Sequence, residues 1–266
     1  MYDTGTRVPL IVHFPEKYKH LAGAEIPSIN TKLVGFVDFA PTVFNLLDIE
    51  TPDFMMGKPF LGQNLPEPKS ELFLYKANQE QNYIPARALT DGRYKLIWNF
   101  NSAYPNGTRQ SYQWQMPSYQ AWDVANIKGE VNTLQQLFWK PADALEFFDT
   151  ETDPYEVNNL INSSQHQEKI AELKHKLLDF MKTNKDLGLY PWSMRRKDKK
   201  TPFYNYVRNT KQPIDAIIDA AAYASTAQPS DLNKLVTFLN SDSSYSLLGQ
   251  HWRASIIRKT FNIQSS

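Results

Sequence analysis

The chain is 266 residues long, 41% hydrophobic and 21% charged, with a formal net charge of +1 and no cysteine. Those values exclude a disordered polyelectrolyte, a disulfide framework and any thiolate-bound metal, and they give no global pull toward nucleic acid or an anionic membrane. No apolar run approaches the roughly 20 residues that a membrane-spanning helix needs, and the first residues lack the charged and apolar regions of a secretory signal. Aromatic residues make up 13%, with 14 Tyr and 6 Trp; core packing accounts for most of them, and stacking on sugar faces is the functional alternative.

Val8 to Phe14 (VPLIVHF) is a nearly continuous apolar run after the turn residue Gly5. It predicts a strand covered on both faces, as in a parallel sheet under helices. A polar connector with Glu16, Lys17, Lys19 and Glu25 follows. Asp38 stands three residues before Pro41, and Val43, Phe44, Leu46 and Leu47 come at helical spacing. This predicts a helix with Asp38 as its cap and Pro41 in its first turn, where the missing N–H is unpaired anyway. One strand and one helix cannot close a core, so residues 1–62 read as the C-terminal remnant of a larger α/β domain.

From about residue 70 the pattern changes. Residues 71–77, 85–90 and 93–100 read as short strands, with Asp91-Gly92 as a hairpin turn in which both positions can take positive φ. Residues 145–149 offer a fourth strand. Residues 167–184 place Ile170, Leu173, Leu177, Phe180 and Met181 on one helical face. Residues 63–190 therefore read as a small antiparallel sheet packed on a helix, interrupted by a long aromatic insertion (101–144) containing Trp114, Trp122 and Trp139. Residues 191–212 form a basic linker: Arg195, Arg196, Lys197, Lys199 and Lys200 are either a solvated run or a patch for an anionic glycan. Residues 213–266 show helical patterns over 213–224, 229–239 and 242–261, a short helical tail of HEAT-like character that falls short of the three repeats of a stable array.

Three phrases in fixed order carry a family resemblance: Gly5 to Val12 (GTRVPLIV), Val37 to Phe44 (VDFAPTVF) and Leu145 to Leu160 (LEFFDTETDPYEVNNL). Tyr2 to Pro9, Lys32 to Thr42, Phe54 to Gly62, and Pro85 to Leu89 with Gly92 to Ile97 extend it. Together they resemble the C-terminal half of the type I sulfatases of the alkaline-phosphatase-like superfamily, and most nearly the N-sulfoglucosamine sulfohydrolase-like bacterial sulfatases. The likeness covers residues 2–190 except for 101–140. It implies the end of an alkaline-phosphatase-like α/β domain, then the antiparallel sheet and helix. It also implies hydrolysis of sulfuric esters or sulfamates on sulfated glycans, a periplasmic or extracellular setting, and a family chemistry of calcium and formylglycine.

The residues of that chemistry have no match here. The family's paired Asp ligands, its Cys/Ser-x-Pro/Ala-x-Arg motif, its mid-chain His and Lys, and its Asp-Asn or Asp-His pair are all missing. Ser193-Met194-Arg195 has the wrong spacing, and the last catalytic cation would fall just upstream of Met1. The expectation is a segment with no catalytic residue, metal ligand or cofactor of its own, inactive alone and partnered by the preceding sulfatase half. Glu146, Asp149, Glu151, Asp153 and Glu156 belong to a turn, with a calcium loop as the functional alternative. His13, His20, His166, His175 and His251 show no metal spacing. The resemblance puts Arg87 at the cleft edge as a substrate-binding residue, where a guanidinium suits sulfate or carboxylate, with a structural salt bridge as its alternative. Lys76, Asn78, Glu80 and Asn82 join it from the preceding segment. Arg7 is read as structural. The competing functions are a non-catalytic glycan-binding or partner-docking protein, and a phosphoester hydrolase that suffers from the same missing metal site.

Overall fold

A computed structural model of the chain describes residues 1–79, 82–190, 201–209, 214–227, 229–231, 233 and 237. At its centre is an antiparallel sheet of β1 (Leu72–Gln79), β2 (Asn82–Thr90), β3 (Tyr94–Asn99) and β4 (Leu145–Asp149), in that spatial order. The described helices are α1 (Asp3–Thr6), α2 (Phe39–Leu46), α3 (Ser111–Trp114), α4 (Pro117–Lys128), α5 (Thr133–Leu137), α6 (Gln167–Thr183), α7 (Phe203–Asn209) and α8 (Ile214–Thr226), with short 3₁₀ turns between some of them. None of these is long and apolar enough to cross a membrane.

The strands fall where the hydrophobic pattern puts them, although β2 begins at Asn82 rather than Pro85. The β2–β3 turn uses one left-handed position, not two. Gly92 has φ of +98°, while Asp91 turns its carboxylate back to accept the N–H groups of Arg93 at 3.1 Å and Tyr94 at 2.7 Å. An Asx turn of this kind fixes the bend without a strained φ at the Asp.

Alternation along the strands sends Leu89, Leu96, Trp98 and Phe147 to one face of the sheet. There α6 lays down Ile170, Leu173, Leu177 and Met181, an i, i+3, i+7 stripe. Phe73 stacks on Phe180 with ring centroids 3.7 Å apart. Helix α8 enters the same core: Ile217, Ile218, Ala220 and Ala221 are at most 1% exposed, and the Trp98 indole donates to Ser225 Oγ at 2.8 Å. Lys182 and Lys185 pair with Asp219 and Asp215 along its edge. Residues 214–226 thus share a core with the sheet across the boundary drawn at 213. Most of the remaining tail, on which a HEAT-like arrangement would rest, lies outside the described residues.

The N-terminal region is built differently. Val8 to Phe14 form no strand and pair with no strand among the described residues; Val8, Leu10, Ile11 and Val12 stand 52, 48, 91 and 45% exposed. The expectation of a strand is corrected on physical grounds, because a strand needs a hydrogen-bonding neighbour and no described strand lies beside this one. Helix α2 forms with Pro41 in its first turn, but the side chain of Asp38 does not cap it. That carboxylate is 1% exposed and accepts the N–H groups of Gly35 (2.9 Å) and Lys58 (2.8 Å) while pairing with Lys69 at 2.5 Å. It ties three connecting segments together, which is a tertiary use of a residue that resembles a local cap.

Candidate functional site

The sheet face turned away from α6 carries Lys76, Lys95, Asn99 and Glu146. The register sets Lys76, Ala86 and Asn99 in one row, Leu74, Ala88, Ile97 and Glu146 in the next, and Thr90, Lys95 and Phe148 in a third. Alanines at the middle of two rows leave room for Met1 and Tyr2, which pack against Ala88, Ile97 and Phe148. The Tyr2 ring meets Phe148 edge-on at 6.0 Å.

Charges hold this segment down. Lys95 is 1% exposed, is salt-bridged to Asp3, and lies 2.8 Å from Glu156 Oε1. The backbone N–H of Asp3 donates to the other oxygen of Glu156. A cation taken out of water is tolerated only when its partners are close and themselves bonded, and these three residues meet that condition together. Beside them Glu146 accepts the Tyr2 hydroxyl at 2.8 Å and the Asn99 amide at 2.9 Å. Burial pushes the Glu146 carboxyl above the usual carboxylate range, against the opposing pull of those two bonds. Burial, and then the Glu146 charge, raise the Tyr2 phenol well above its ordinary value.

Lys76 lies on the same face and is half-buried. Its ammonium donates to Asn106 Oδ1 at 3.0 Å, and burial lowers its pKa. The Met1 amino group is pushed down to about 6, by burial first and then by the Lys76 charge. Lys76 therefore sits close to where the chain enters this face.

The acids of 146–156 have separate occupations. Asp149 takes the Arg93 guanidinium at 2.8 Å, which holds its carboxyl below the usual range. Asp153 accepts the Asn158 N–H at 2.8 Å, Glu146 serves Tyr2, and Glu156 serves Lys95. Calcium wants six to eight oxygens converging on one point. Here the carboxylates diverge, and among the described residues no three His, Asp or Glu form a group that could hold a metal. The calcium-loop alternative does not fit this segment, and no hydrolytic step follows from it.

Residues 1–106 match the family model for the C-terminal region of N-sulphoglucosamine sulphohydrolase. The chain is also 31% identical over 193 residues to an ulvan-active sulfatase of Formosa agariphila, an overlap of 66% of this chain and 29% of that protein. The chain carries the C-terminal part of a sulfatase. This sulfatase part is 25% identical over 208 residues to the uncharacterized sulfatase YidJ of Escherichia coli, covering 75% of the chain and 32% of YidJ. It spans about three tenths of the length of these curated relatives. A solved 2-O GAG sulfatase superposes with a TM-score of 0.38 at 18% identity, over 56% of this chain and 25% of that one.

Among its described residues, the sulfatase part sets Arg87 apart from the others expected to touch substrate. Arg87 points to the α6 side, opposite Lys76, and is 3% exposed. Its Nε and Nη2 clasp the two oxygens of Asp186 at 2.5 and 2.8 Å, and its Nη1 donates to the carbonyls of Lys76 (2.9 Å) and Ala86 (2.7 Å). Four of the five guanidinium N–H groups are thereby engaged. A Cβ on Gly188 would come within 2.2 Å of Nη2, so a side chain there would have to displace the guanidinium. This is the salt-bridge alternative, with the guanidinium facing the core. Asn78 and Asn82 lie at the end of the β1–β2 hairpin, where Asn78 pairs with Tyr83 and Gln79 with Asn82 after an irregularity between Lys76 and Asn78. Glu80 lies outside the described residues, as do Arg195, Arg196, Lys197, Lys199 and Lys200. The Asp3–Lys95–Glu156 and Tyr2–Glu146–Asn99 groups escaped sequence reasoning. One signal was available: alternation places Lys95 on the same inward face as Ile97, and a cation there needs partners.

Proposed function

We propose that the chain serves as the C-terminal part of a sulfuric ester or sulfamate hydrolase acting on sulfated glycans. In this reading the nucleophile and metal ligands lie on a preceding part, which is the partner this chain docks against, and the chain alone does no chemistry. The observation that carries the reading is the unpaired apolar segment Val8–Phe14 with Ile11 91% exposed, within a stretch that matches a sulfatase C-terminal model. Contiguous exposed apolar surface marks an interaction site, and an unpaired apolar strand candidate is suited to pair inside a partner's sheet. The Asp3–Lys95–Glu156 clamp then fixes where that strand leaves the sheet of this part.

The wall facing substrate is the β1–β2 hairpin with Lys76, Asn78, Glu80 and Asn82. Arg87 supports it from beneath by fixing β2 to the Gly188 loop. The run Arg195, Arg196, Lys197, Lys199 and Lys200 supplies a further contact for an anionic chain. The ulvan-active relative supports a sulfated-glycan substrate class.

The test is an aryl sulfate and sulfamate assay with added calcium on two proteins. One is this chain alone. The other is a chimera in which it replaces the C-terminal part of the Formosa agariphila relative. The expected result is turnover by the chimera and none by the chain. Turnover by the isolated chain, abolished by a chelator, overturns the division of labour.

A further inference from the structure

We propose that Lys76 and Asn106 form an anion-binding subsite between the β1–β2 hairpin and the 101–144 insertion, taking an oxyanion carried on a sugar. The proposal rests on the glycan-facing reading above and adds the insertion, of which only the first six residues fall within the matched family model.

The insertion and Phe100 just before it are tied to the hairpin at three points. Phe100 N–H donates to the Pro85 carbonyl at 3.0 Å, the Asn101 amide donates to the Tyr83 carbonyl at 2.6 Å, and Lys76 Nζ donates to Asn106 Oδ1 at 3.0 Å. The position of Asn106 is set by an aromatic cluster. Its neighbour Gly107 donates to the Phe138 carbonyl at 2.7 Å. Phe138 stacks on Trp122 at 4.7 Å, and Trp139 meets both rings edge-on. Tyr119 closes the cluster, its hydroxyl bonded to the Thr108 carbonyl at 2.8 Å. Three Trp and Phe rings thus hold an amide against a lysine on another element.

The electrostatics point to a ligand anion. Lys69, Lys95, Lys169 and Lys176 each have a carboxylate within 2.8 Å. Half-buried Lys76 has none within ion-pair distance among the described residues, and its one side-chain bond is to a neutral amide. An ammonium has three N–H groups, so two are left for a ligand. The lowered pKa of Lys76 agrees with a cation that is short of counter-charge.

The experiment uses the intact chain and reads binding, not turnover. Lysine acetylation followed by mass spectrometry measures the labelling rate of Lys76 with galactose 6-sulfate, with glucuronate, or with sodium chloride at matched ionic strength. The expected result is at least fivefold slower labelling of Lys76 with one of the sugars and no change at exposed Lys58. Protection by the sulfated sugar identifies a sulfate ester as the ligand group, and protection by glucuronate identifies a carboxylate. Lys76→Met and Asn106→Ala should each weaken calorimetric binding of that sugar at least tenfold, while Lys76→Arg keeps most of it. Asn106→Ala and the wild-type labelling carry the test if Lys76→Met misfolds. Equal protection by chloride, or unchanged affinity in Asn106→Ala and Lys76→Met, overturns the subsite. An active chimera without protection would sink this inference and leave the sulfatase reading standing; protection with an inactive chimera would do the reverse.

Discussion

Residues 8–56 and the body from β1 onward treat apolar side chains in opposite ways. In the first, Ile11, Ile29, Phe36 and Phe54 are 91, 97, 75 and 80% exposed. In the second, Leu89, Leu96, Phe147, Leu173 and Met181 are fully buried. The body closes on itself because a sheet and two helices give each apolar face a neighbour. The N-terminal region has a strand candidate and one short helix, too few layers to do so. The two meet near Lys95, where Asp3, just before the first region, is held by charge to β3 of the other. A closed core thus stands beside open apolar surface, and the junction between them is where the two can be separated.

The largest effect is expected at that junction. Lys95→Met leaves Asp3 and Glu156 without their cation, and removing one partner of a buried ion pair costs about 3–5 kcal/mol. Urea denaturation should show that loss, and limited proteolysis should cut near Arg7 faster than in the wild type. The double variant Lys95→Met/Glu156→Leu should recover part of the stability, because it removes the charge left unpaired in the interior. A loss under 1 kcal/mol for Lys95→Met would mean that the clamp does not hold the regions together.

The contrast itself is tested one step down. Leu173→Ala removes a fully buried side chain from the core and should cost about 3 kcal/mol. Ile11→Ala changes a side chain 91% exposed and should stay within about 0.5 kcal/mol. The order should reverse in the chimera described above. There Ile11→Asp is expected to abolish activity, because its position becomes interior, and equal activity with and without the charge would refute the docking role of Val8–Phe14.

The same contrast explains what could be read from the sequence. The four strands, the helix from 167 to 183 and the sulfatase phrases were legible because their signals are local: alternation in Tyr94–Asn99, a Gly at the turn, and a 3.6-residue stripe on α6. Val8–Phe14 read as a strand for a sound reason and forms none, since its partners are not among the described residues. Asp38 matched a cap and Arg87 a cleft residue, yet both are held by partners distant in sequence, Lys69 for Asp38 and Asp186 for Arg87. No spacing rule reports a pairing such as Asp3 with Glu156, because the folded sheet alone makes them neighbours. The insertion was opaque for a related reason: its aromatic rings pack on one another from short segments whose faces carry little periodic signal.

The smallest effect expected is in pH dependence, and its sign separates the junction with the N-terminal segment from the rest of the body. Burial raises the Glu146 carboxyl above its unfolded value of about 4.3. The folded chain holds that proton longer than the unfolded chain. Its contribution to stability is therefore fully present below the unfolded pKa and is lost as pH rises through the folded one. Asp91 and Asp149 in the body are shifted the other way, lowered by bonds from Lys169 and Tyr94 and from Arg93 respectively. Their contribution is present above about 3.9 and disappears as pH falls through their folded values. Glu146→Gln keeps an acceptor for Tyr2 and abolishes only the first dependence. The stability of the wild type relative to this variant should decline as pH rises from about 4 toward 7, while Asp149→Asn should lose most of its deficit on acidification. Glu146 faces Tyr2 at the junction, and the Asp residues close the body. A wild-type curve that rises relative to Glu146→Gln over that range would mean that the Tyr2 and Asn99 bonds outweigh burial, and that the junction is strongest where its carboxylate is charged.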